Sequence, residues 1–255
     1  MSNYTKLLNN LDALKLDKMR TYLPNVLDNI KNNNISIVDA LFDMTEKEIE
    51  YRDIRATRLN VQIAAFPFRK EISDFDFDFQ PSINKKQIQD LASLRFIEEN
   101  KNVLFVGPSG VGKTHLATAI GIEAAKKRYS VYFINCHTLI TKLNKAFYEN
   151  KLEQQLKHFS SYRLFIIDEI GYLPVDKQGA NLFFQLIAKR YEKKSTIITT
   201  NQYFSKWVEI FNDSVLANAI LDRLIHHSEI VNISGKSYRI QDKINSQEEV
   251  KERKN

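Results

Sequence analysis

The residues of this chain best suited to chemistry stand close together in the stretch FVGPSGVGKTHLA, residues 105–117. The stretch contains three of the seven glycines in the chain, followed directly by a lysine and a threonine: Gly107, Gly110, Gly112, Lys113 and Thr114. Their spacing fits G-x-x-x-x-G-K-[ST], which forms a phosphate-binding loop where a strand precedes it and a helix follows. Apolar strand formers occupy 103–106, and a helical pattern runs from Lys113 to about Lys127. The pattern therefore predicts a phosphate-binding loop with both of its flanking elements.

The glycines of such a loop let backbone N–H groups curl around an anion. The start of the following helix adds unpaired N–H groups and a partial positive charge. We therefore expect ATP as the ligand, with Lys113 reaching the β- and γ-phosphates and the Thr114 hydroxyl binding Mg²⁺. The residues predicted to contact the nucleotide are Gly107, Pro108, Ser109, Gly110, Val111, Gly112, Lys113, Thr114 and His115.

A pair of carboxylates follows the apolar run RLFII at 163–167. Asp168 and Glu169 thus come at the C-terminal end of a predicted strand, the edge at which open α/β sheets bind ligands. We expect Asp168 to bind Mg²⁺ and Glu169 to polarise a water molecule for in-line attack on the γ-phosphate. An acid placed to activate water favours hydrolysis over phosphoryl transfer to a small substrate.

Two further polar residues are candidates to complete the site. Asn201 ends the strand-like run STIITTN and is predicted to orient the attacking water or contact the γ-phosphate, a simple turn residue being the alternative. Arg223, in AILDRLIHHS, is predicted to act in the site of a neighbouring subunit, with an ion pair to Asp222 as the structural alternative. Arg239 is a weaker candidate for contact with a nucleotide or DNA phosphate.

The second half of the chain alternates strand-like and helical segments. Strand-like runs occur at 103–106, 131–134, 163–167, 196–200 and 230–233. This alternation predicts an α/β fold in which a parallel sheet carries helices on both faces. A helix from about residue 84 to residue 98 is expected to lead into the first strand.

Residues 1 to about 70 contain no glycine and have a helical pattern. Helix breaks are predicted at Pro24 and 32–34, helix starts at Ser36 with Asp39 and at Thr45 with Glu48, and a helix end before Pro67.

The last predicted helix of this region carries Arg52, Arg55 and Arg58 at three-residue spacing, so they share one side. The stripe is a candidate contact with the DNA backbone, and a solvated helix face is the equally weighted alternative.

Residues 71–81, EISDFDFDFQP, alternate acids with Phe75, Phe77 and Phe79. In an extended strand these three rings point to the same side. We interpret the segment as a linker that docks its aromatic side on the following domain.

The bulk composition narrows the class of protein. No apolar run is long enough to span a bilayer and the N-terminus lacks the apolar region of a signal peptide, so no membrane association is expected. Cys136 is the only cysteine, which suits a cytoplasmic location. His226 and His227 are interpreted as a surface or interface pair rather than a metal site. The net charge of +6 and a pI near 9.1 favour a polyanionic partner.

Several longer motifs resemble one family in order along nearly the whole chain. They are GPSGVGKTHLA, LFIIDEIGYLPVDKQGANLFFQLIAKRYEKKSTIITTN, ILDRLIHHS and GKSYR, together with AAFPFRKEISDFDF between the two halves. They resemble the IstB-type transposition helper ATPases of insertion sequences, AAA+ proteins close to the DnaC-type helicase loaders. The phosphate loop is shared by many ATPases, whereas the run from IIDEIGYLP to ILDRLIHHS is much more specific.

The resemblance implies an AAA+ core with little or no C-terminal lid, preceded by a small all-α N-terminal domain. It implies Lys113 and Thr114 as nucleotide ligands, Asp168 and Glu169 as the magnesium and hydrolysis pair, Asn201 as the sensor and Arg223 as the arginine finger. In the family, ATP-bound subunits assemble on double-stranded DNA, deform it and present it to a partner transposase. The family usually has Ser where this chain has Thr200, an exchange that keeps the hydroxyl.

The expected domains are an N-terminal DNA- or partner-binding domain at 1–70, a docking linker and helix at 71–100, the ATPase core at 101–242 and a polar, disordered tail at 243–255. A loader of a replicative helicase, acting with single-stranded DNA, is the alternative function. A small-molecule kinase is disfavoured, because Glu169, Asn201 and Arg223 suit water activation rather than an acceptor pocket.

Overall fold

The computed structural model of the chain describes residues 1–33, 35–238 and 240. Arg239 and the predicted tail at 243–255 lie outside the described residues, so the expected absence of a lid stays a prediction. The chain forms two compact units, Met1–Leu59 and a second that begins at Asn60. Within the described residues, no helix is both long enough and apolar enough to cross a membrane.

The N-terminal unit is built from helices, as the sequence predicts. Its elements are α1 (Asn3–Ala13), α2 (Asp17–Asn33) and the larger part of α3 (Ile37–Ile63). The buried side chains that hold them together are Leu11, Leu23, Val26, Ala40 and Met44.

The predicted break at Pro24 is wrong, since α2 continues through this residue to Asn33. A proline inside a helix costs about 3 kcal/mol because it removes one N–H donor and crowds the preceding turn. Leu23 and Val26, on either side of it, are buried in the core of the unit, and each buried side chain of this size contributes about 1.5–3 kcal/mol. Packing therefore offsets the local cost.

The helix start predicted at Ser36 is confirmed. The Ser36 hydroxyl accepts a hydrogen bond from Asp39 N at 3.1 Å and donates one to the Asp39 carboxylate at 2.7 Å. The second start, at Thr45, is wrong because α3 is continuous from Ile37 to Ile63. The Thr45 hydroxyl instead donates to the carbonyl of Phe42 within the helix, at 2.8 Å.

Glu48 has a different capping role from the predicted one. Its buried carboxylate accepts hydrogen bonds from Lys18 N at 2.8 Å and Met19 N at 3.2 Å, in the first turn of α2. Burial raises its pKa, but hydrogen bonds from Arg52, Met19 and Lys18 outweigh burial and leave the pKa below its ordinary value. The residue caps a helix far from it in sequence, a partner that local patterns do not identify.

The second unit contains a five-stranded parallel sheet of order β2-β3-β4-β1-β5. Its strands are β1 (Asn102–Val106), β2 (Val131–Asn135), β3 (Leu164–Ile170), β4 (Ser195–Thr200) and β5 (Ser228–Asn232). Its helices are α4 (Lys85–Ala92), α5 (Arg95–Glu98), α6 (Lys113–Lys126), α7 (Cys136–Tyr148), α8 (Leu152–Ser161), α9 (Lys177–Arg190), α10 (Trp207–Phe211) and α11 (Ser214–Ile225). All five predicted strands are confirmed, as is the α/β fold class.

Helices cover both faces of the sheet, so the strands are buried on both sides. Leu104 and Ile198 face a core shared with α7 to α11, whereas Phe105 and Ile197 face a core shared with α4, α5 and α6. Successive side chains of a strand point to opposite faces, so each strand contributes to both cores. The chain thereby fixes the C-terminal ends of β1, β2, β3 and β4 in one row.

The predicted helix at 84–98 is interrupted. Asn84 caps α4 through its side chain, which accepts from Lys86 N and Gln87 N. Leu94 has a left-handed backbone (φ 70°) and starts α5. Its side chain is buried in the core beneath. Burial of Leu94 in this conformation explains why one helical pattern yields two helices.

The aromatic linker docks on the second unit, but not as an extended strand. Residues 72–74 form a short 3-10 turn, and the Asp74 carboxylate accepts from Glu71 N at 2.7 Å. The Asp76 carboxylate accepts from the backbone of residues 78 and 79, both at 3.0 Å. The acids therefore fold the segment locally, while Phe75 is buried in the core beside α6.

The second compact unit begins at Asn60, earlier than the boundary at residue 70 that the sequence predicts. Ala64 is buried in the core of the second unit, and its carbonyl accepts from Phe133 N on β2 at 2.8 Å. The Phe66 ring meets the Phe133 ring edge-on at 6.4 Å between centroids. The end of α3 thus packs with the sheet, and the predicted division of functions between the regions stays a prediction.

Candidate nucleotide-binding site

The glycine-rich loop connects β1 to α6, and its backbone needs the glycines. Gly110 and Gly112 have φ values of 83° and 101°, in the left-handed region that side chains disfavour. A Cβ atom on Gly112 would also collide with the ring of Phe75, and one on Gly110 would collide with the side chain of Ser237. The loop can therefore keep this shape, and stay in contact with the linker, only with glycine at both positions.

Lys113 is the first residue of α6, and its side chain turns back into the loop. Its ammonium donates to the carbonyls of Gly107 at 2.7 Å and Pro108 at 2.6 Å. The residue is buried, with 8% of its surface exposed. This places a positive charge next to the N–H groups at the start of a long helix, a suitable arrangement for an anion.

Asp168 lies opposite, at the C-terminal end of β3, and holds two hydroxyl groups. Its Oδ1 accepts from Thr114 Oγ1 at 2.9 Å and from Thr199 Oγ1 at 2.5 Å. Burial raises the pKa of Asp168, and the nearby Glu169 adds to this, while both hydroxyls and Lys113 lower it. A buried carboxylate beside a threonine hydroxyl is a set of hard oxygen donors, so these residues fit Mg²⁺.

An irregularity in strand β3 changes the backbone conformation at Glu169. The register between β3 and β4 shifts between Ile167 and Ile170, and Glu169 has a φ of 62°. Its backbone N–H donates to Thr199 Oγ1 at 2.9 Å. The Thr199 hydroxyl thus bridges Glu169 and the adjacent Asp168, and it is a site residue that the sequence analysis missed.

Asn135, at the end of β2, is a second missed residue. Its Nδ2 donates to Glu169 Oε2 at 2.8 Å. Its Oδ1 accepts from His137 N at 2.9 Å and caps α7. The rule that selected Asp168 and Asn201, a polar residue at the carboxyl end of a predicted strand, also selects Asn135 in VYFIN.

Lys113, Thr114, Asp168, Glu169 and Thr199 line one cavity of about 550 Å³. Its polar side is formed by Ser109, Gly110, Gly112, Lys113, Thr114, Asp168, Glu169, Thr199 and Asn201. Its other side is aromatic, with Phe68, with Phe75 from the linker, with His115 from α6 and with Tyr238. Burial lowers the pKa of His115, which favours its neutral form. The cavity therefore offers one end for phosphates and a magnesium ion and another end for a flat ring.

Some predicted loop residues are placed differently. Gly107, Pro108 and Val111 are not among the residues that line the cavity, and the Val111 side chain is buried in the core with Phe75. Any nucleotide contact by these three would come from their backbone.

Tyr238 joins the loop to the linker, a role that the sequence analysis did not predict. Its N–H donates to the carbonyl of Gly110 at 3.0 Å, and its hydroxyl donates to the carbonyl of Asp76 at 2.6 Å. Burial raises the pKa of Tyr238 to about 12, so the hydroxyl keeps its proton. The centroid of its ring also lies 4.3 Å from the ring centroid of Phe79.

Arg223 lies on α11 and is not among the residues that line the cavity. Its Nη1 donates to the carbonyl of Ala219 at 3.0 Å, and its guanidinium lies 4.6 Å above the ring of Phe184. No ion pair joins it to Asp222 in the part of the chain that the structure describes. Arg223 therefore does not complete the site of its own subunit.

The three arginines of the predicted DNA-binding stripe are exposed on α3. Arg52 has structural contacts, with Glu48 Oε1 at 2.9 Å and the carbonyl of Lys15 at 2.9 Å. Within the described part of the chain, Arg55 and Arg58 make no comparable hydrogen bond or ion pair.

The amino-acid sequence of the chain is similar to that of known proteins. Residues 9–246 match the family of IstB-like ATP binding proteins. The chain is 56% identical over 241 residues to the ATP-binding protein of insertion sequence IS232 from Bacillus thuringiensis subsp. berliner, covering 94% of this chain and 96% of that protein. It is 42% identical to the ATP-binding protein of insertion sequence IS21 from Pseudomonas aeruginosa, covering 91% and 88%.

Solved structures support the fold. The crystal structure of DnaI has a TM-score of 0.56 at 20% identity, covering 69% of this chain and 93% of that one. AMPPCP-bound DnaA from Aquifex aeolicus has a TM-score of 0.54 at 18% identity, covering 66% and 51%. At these identities the likeness shows the fold alone, that of an AAA+ P-loop protein. With the family match over nearly its full length, the chain belongs to the IstB-like ATP binding proteins of insertion sequences.

Proposed function

We propose that this protein binds ATP with Mg²⁺, hydrolyses it, and uses the cycle to control its assembly on double-stranded DNA for a partner transposase. The observation that carries the ATPase part is the connected set Thr114, Asp168, Thr199, Glu169 and Asn135 beside the phosphate loop. It puts one carboxylate in place for a metal ion and a second one in reach of water.

The contacts support the following role for each residue. Lys113 and the loop N–H groups neutralise and orient the phosphates. Thr114 and Asp168 would hold Mg²⁺, which would offset charge on the phosphate oxygens. Glu169 accepts a proton from the attacking water as general base, and its hydrogen bond to Asn135 sets where the carboxylate points. Asn201 orients the water from the neighbouring strand end.

We assign Arg223 to the site of an adjacent subunit. Within its own subunit it packs over Phe184 and is not among the residues that line the cavity. An arginine supplied from a neighbour makes hydrolysis depend on self-association, because each site then contains groups from two subunits.

The DNA and transposase parts rest on the insertion-sequence relatives and on charge. Two relatives that cover about nine tenths of the chain or more are named as ATP-binding proteins of insertion sequences. The net charge of +6 suits a phosphate backbone. The alternative is a helicase loader, and the likeness to DnaI, at 20% identity, shows the fold alone. The names of the insertion-sequence relatives therefore favour transposition.

The hydrolysis test compares two Glu→Gln variants. Glu169→Gln should bind ATP but hydrolyse it about 10²–10⁴-fold more slowly, since an amide cannot take the proton. Glu153→Gln is the matched control, because Glu153 is exposed and its carboxylate pairs with Lys189 on the surface. Equal hydrolysis by the Glu169→Gln variant and the wild type would remove Glu169 from the mechanism.

DNA binding is tested separately by fluorescence anisotropy in a salt series. Binding should require ATP, vary little with sequence and weaken steeply with salt, because the contacts are mainly to phosphates. Arg55→Ala with Arg58→Ala should weaken it and lower the salt slope by about 2, and adding Arg52→Ala should weaken it further. Unchanged DNA affinity in the triple variant, with ATP affinity intact, would make the stripe a solvated face.

A further inference from the structure

One group of three side chains, among the described residues, stands close enough together to share a metal ion. Glu192, His226 and His227 each offer a ligand atom, and these atoms lie within 4.8 Å of one another. His227 Nε2 is 3.3 Å from Glu192 Oε1. Bonds of about 2.0–2.1 Å from Zn²⁺ to N and O put tetrahedral ligand atoms about 3.3 Å apart. One edge of such a tetrahedron is therefore already formed.

The ring of His226 is held by a further contact. Its Nδ1 lies 2.7 Å from the hydroxyl of Tyr191, and the two imidazole rings are 4.0 Å apart. Histidines that bind metals commonly use the second ring nitrogen for such a partner, which fixes the ring and the tautomer. With Nδ1 paired to Tyr191, Nε2 of His226 is the nitrogen available to an ion.

The position in the fold also favours a cation. Tyr191 directly follows α9, which ends at Arg190, and His226 directly follows α11, which ends at Ile225. The C-terminal end of a helix carries partial negative charge from its unpaired carbonyls. Glu192 adds a full negative charge between these two helix ends.

We propose that Glu192, His226 and His227 bind a divalent transition-metal ion, with Zn²⁺ as the best match. Two imidazoles and one carboxylate are a known ligand set for Zn²⁺, and the fourth position is open to water. All three side chains are exposed, so the ion exchanges with solution. A bound ion would connect the C-terminal end of α11 to the C-terminal end of α9. Arg223 lies on α11 and packs over Phe184 of α9.

The proposed role of His226 and His227 replaces the interpretation of them as a surface or interface pair rather than a metal site. Sequence spacing alone does not pair two adjacent histidines with a glutamate on another element. The structure supplies the third ligand, because α9 and α11 end at the same side of the sheet unit.

The experiment is a Zn²⁺ titration of the full chain without a histidine tag and without nucleotide, in competition with a chromogenic chelator. The wild type should bind one Zn²⁺ per chain. His226→Ala with His227→Ala should weaken binding at least tenfold. Tyr191→Phe should weaken it by about 10–100-fold, because the hydroxyl that contacts Nδ1 of His226 is lost. Zn²⁺ should raise the melting temperature of the wild type and not that of the double variant.

The matched control is His137→Ala with His158→Ala, which removes two other exposed histidines. This control should bind Zn²⁺ as the wild type does. Equal affinity in the wild type and the His226→Ala/His227→Ala variant, or no saturable binding by the wild type, would overturn the proposal and leave the His227–Glu192 contact as a surface ion pair. Circular dichroism of each variant establishes that the fold is intact, and Glu192→Gln provides a second, smaller change at the same site.

Discussion

The hydroxyl of Thr199 links the carboxylate of Asp168 to the backbone N–H of Glu169, so its removal tests the proposed arrangement. It donates to Asp168 Oδ1 at 2.5 Å and accepts from Glu169 N at 2.9 Å. Thr199→Val keeps the shape and removes both bonds. A bond to a charged group contributes about 1.5–3 kcal/mol and a neutral one about 1, so we expect the free energy of unfolding to fall by about 2.5–4 kcal/mol.

The same change should weaken binding of Mg²⁺ with ATP, and more strongly at acidic pH. Burial raises the pKa of Asp168 and the Thr199 hydroxyl opposes this rise. Without that hydroxyl the pKa rises further, and protons compete better with Mg²⁺ for the carboxylate. Isothermal titration with the non-hydrolysable analogue AMPPCP and Mg²⁺, across the mildly acidic to neutral range, measures the effect.

Thr200→Val is the matched control from the next position of the same strand. Thr200 is also buried, and its hydroxyl donates to the carbonyl of Ile170 at 2.8 Å and accepts from Gln202 N at 3.1 Å. Its loss should cost about 1–3 kcal/mol of stability, without an acid-dependent loss of Mg²⁺ affinity. Equal effects of the two variants on Mg²⁺ binding at every pH would refute the assigned role of Thr199.

Three other outcomes are expected. Asp168→Asn should raise the melting temperature of the nucleotide-free protein at neutral pH. The pKa of Asp168 is raised above its ordinary 3.8, so the stability of the wild type falls as pH rises through that pKa. The difference in melting temperature between the two proteins should therefore vanish in more acidic buffer. Asn135→Asp keeps the cap on α7 but sets a carboxylate against Glu169, so hydrolysis should fall roughly tenfold with ATP affinity retained; unchanged turnover would contradict the positioning role. Equal mixing of Glu169→Gln and Arg223→Ala subunits should restore ATPase activity in the presence of DNA, because about a quarter of interfaces are then complete; mixed assemblies as inactive as either variant would show that Arg223 does not act in trans.

The sequence by itself determined the elements whose conformation depends on nearby residues. The glycine spacing before Lys113 specifies the phosphate loop, because the left-handed backbone at Gly110 and Gly112 is a local property. The five apolar runs specify buried parallel strands, since only such strands are apolar on both faces. Asp168 and Asn201 follow from the rule that ligands gather at the carboxyl ends of these strands.

The tertiary structure decided the partners of these residues. The strand order β2-β3-β4-β1-β5 puts Asn135 and Thr199 on either side of Asp168 and Glu169, and no local pattern encodes that order. Glu48 likewise caps a helix distant in sequence, a contact that the packing of the N-terminal helices decides.

The strongest departures from the sequence prediction share one physical cause. α2 passes through Pro24 and the 84–98 pattern divides at Leu94, because burial of neighbouring apolar side chains outweighs local backbone preference. Propensities amount to about 1 kcal/mol or less for most residues and about 3 kcal/mol for proline. Burying one large apolar side chain contributes about 1.5–3 kcal/mol, so Leu23 and Val26 together offset the cost of Pro24. Local signals therefore determined the phosphate loop and the strands, and long-range packing decided which side chains meet around them.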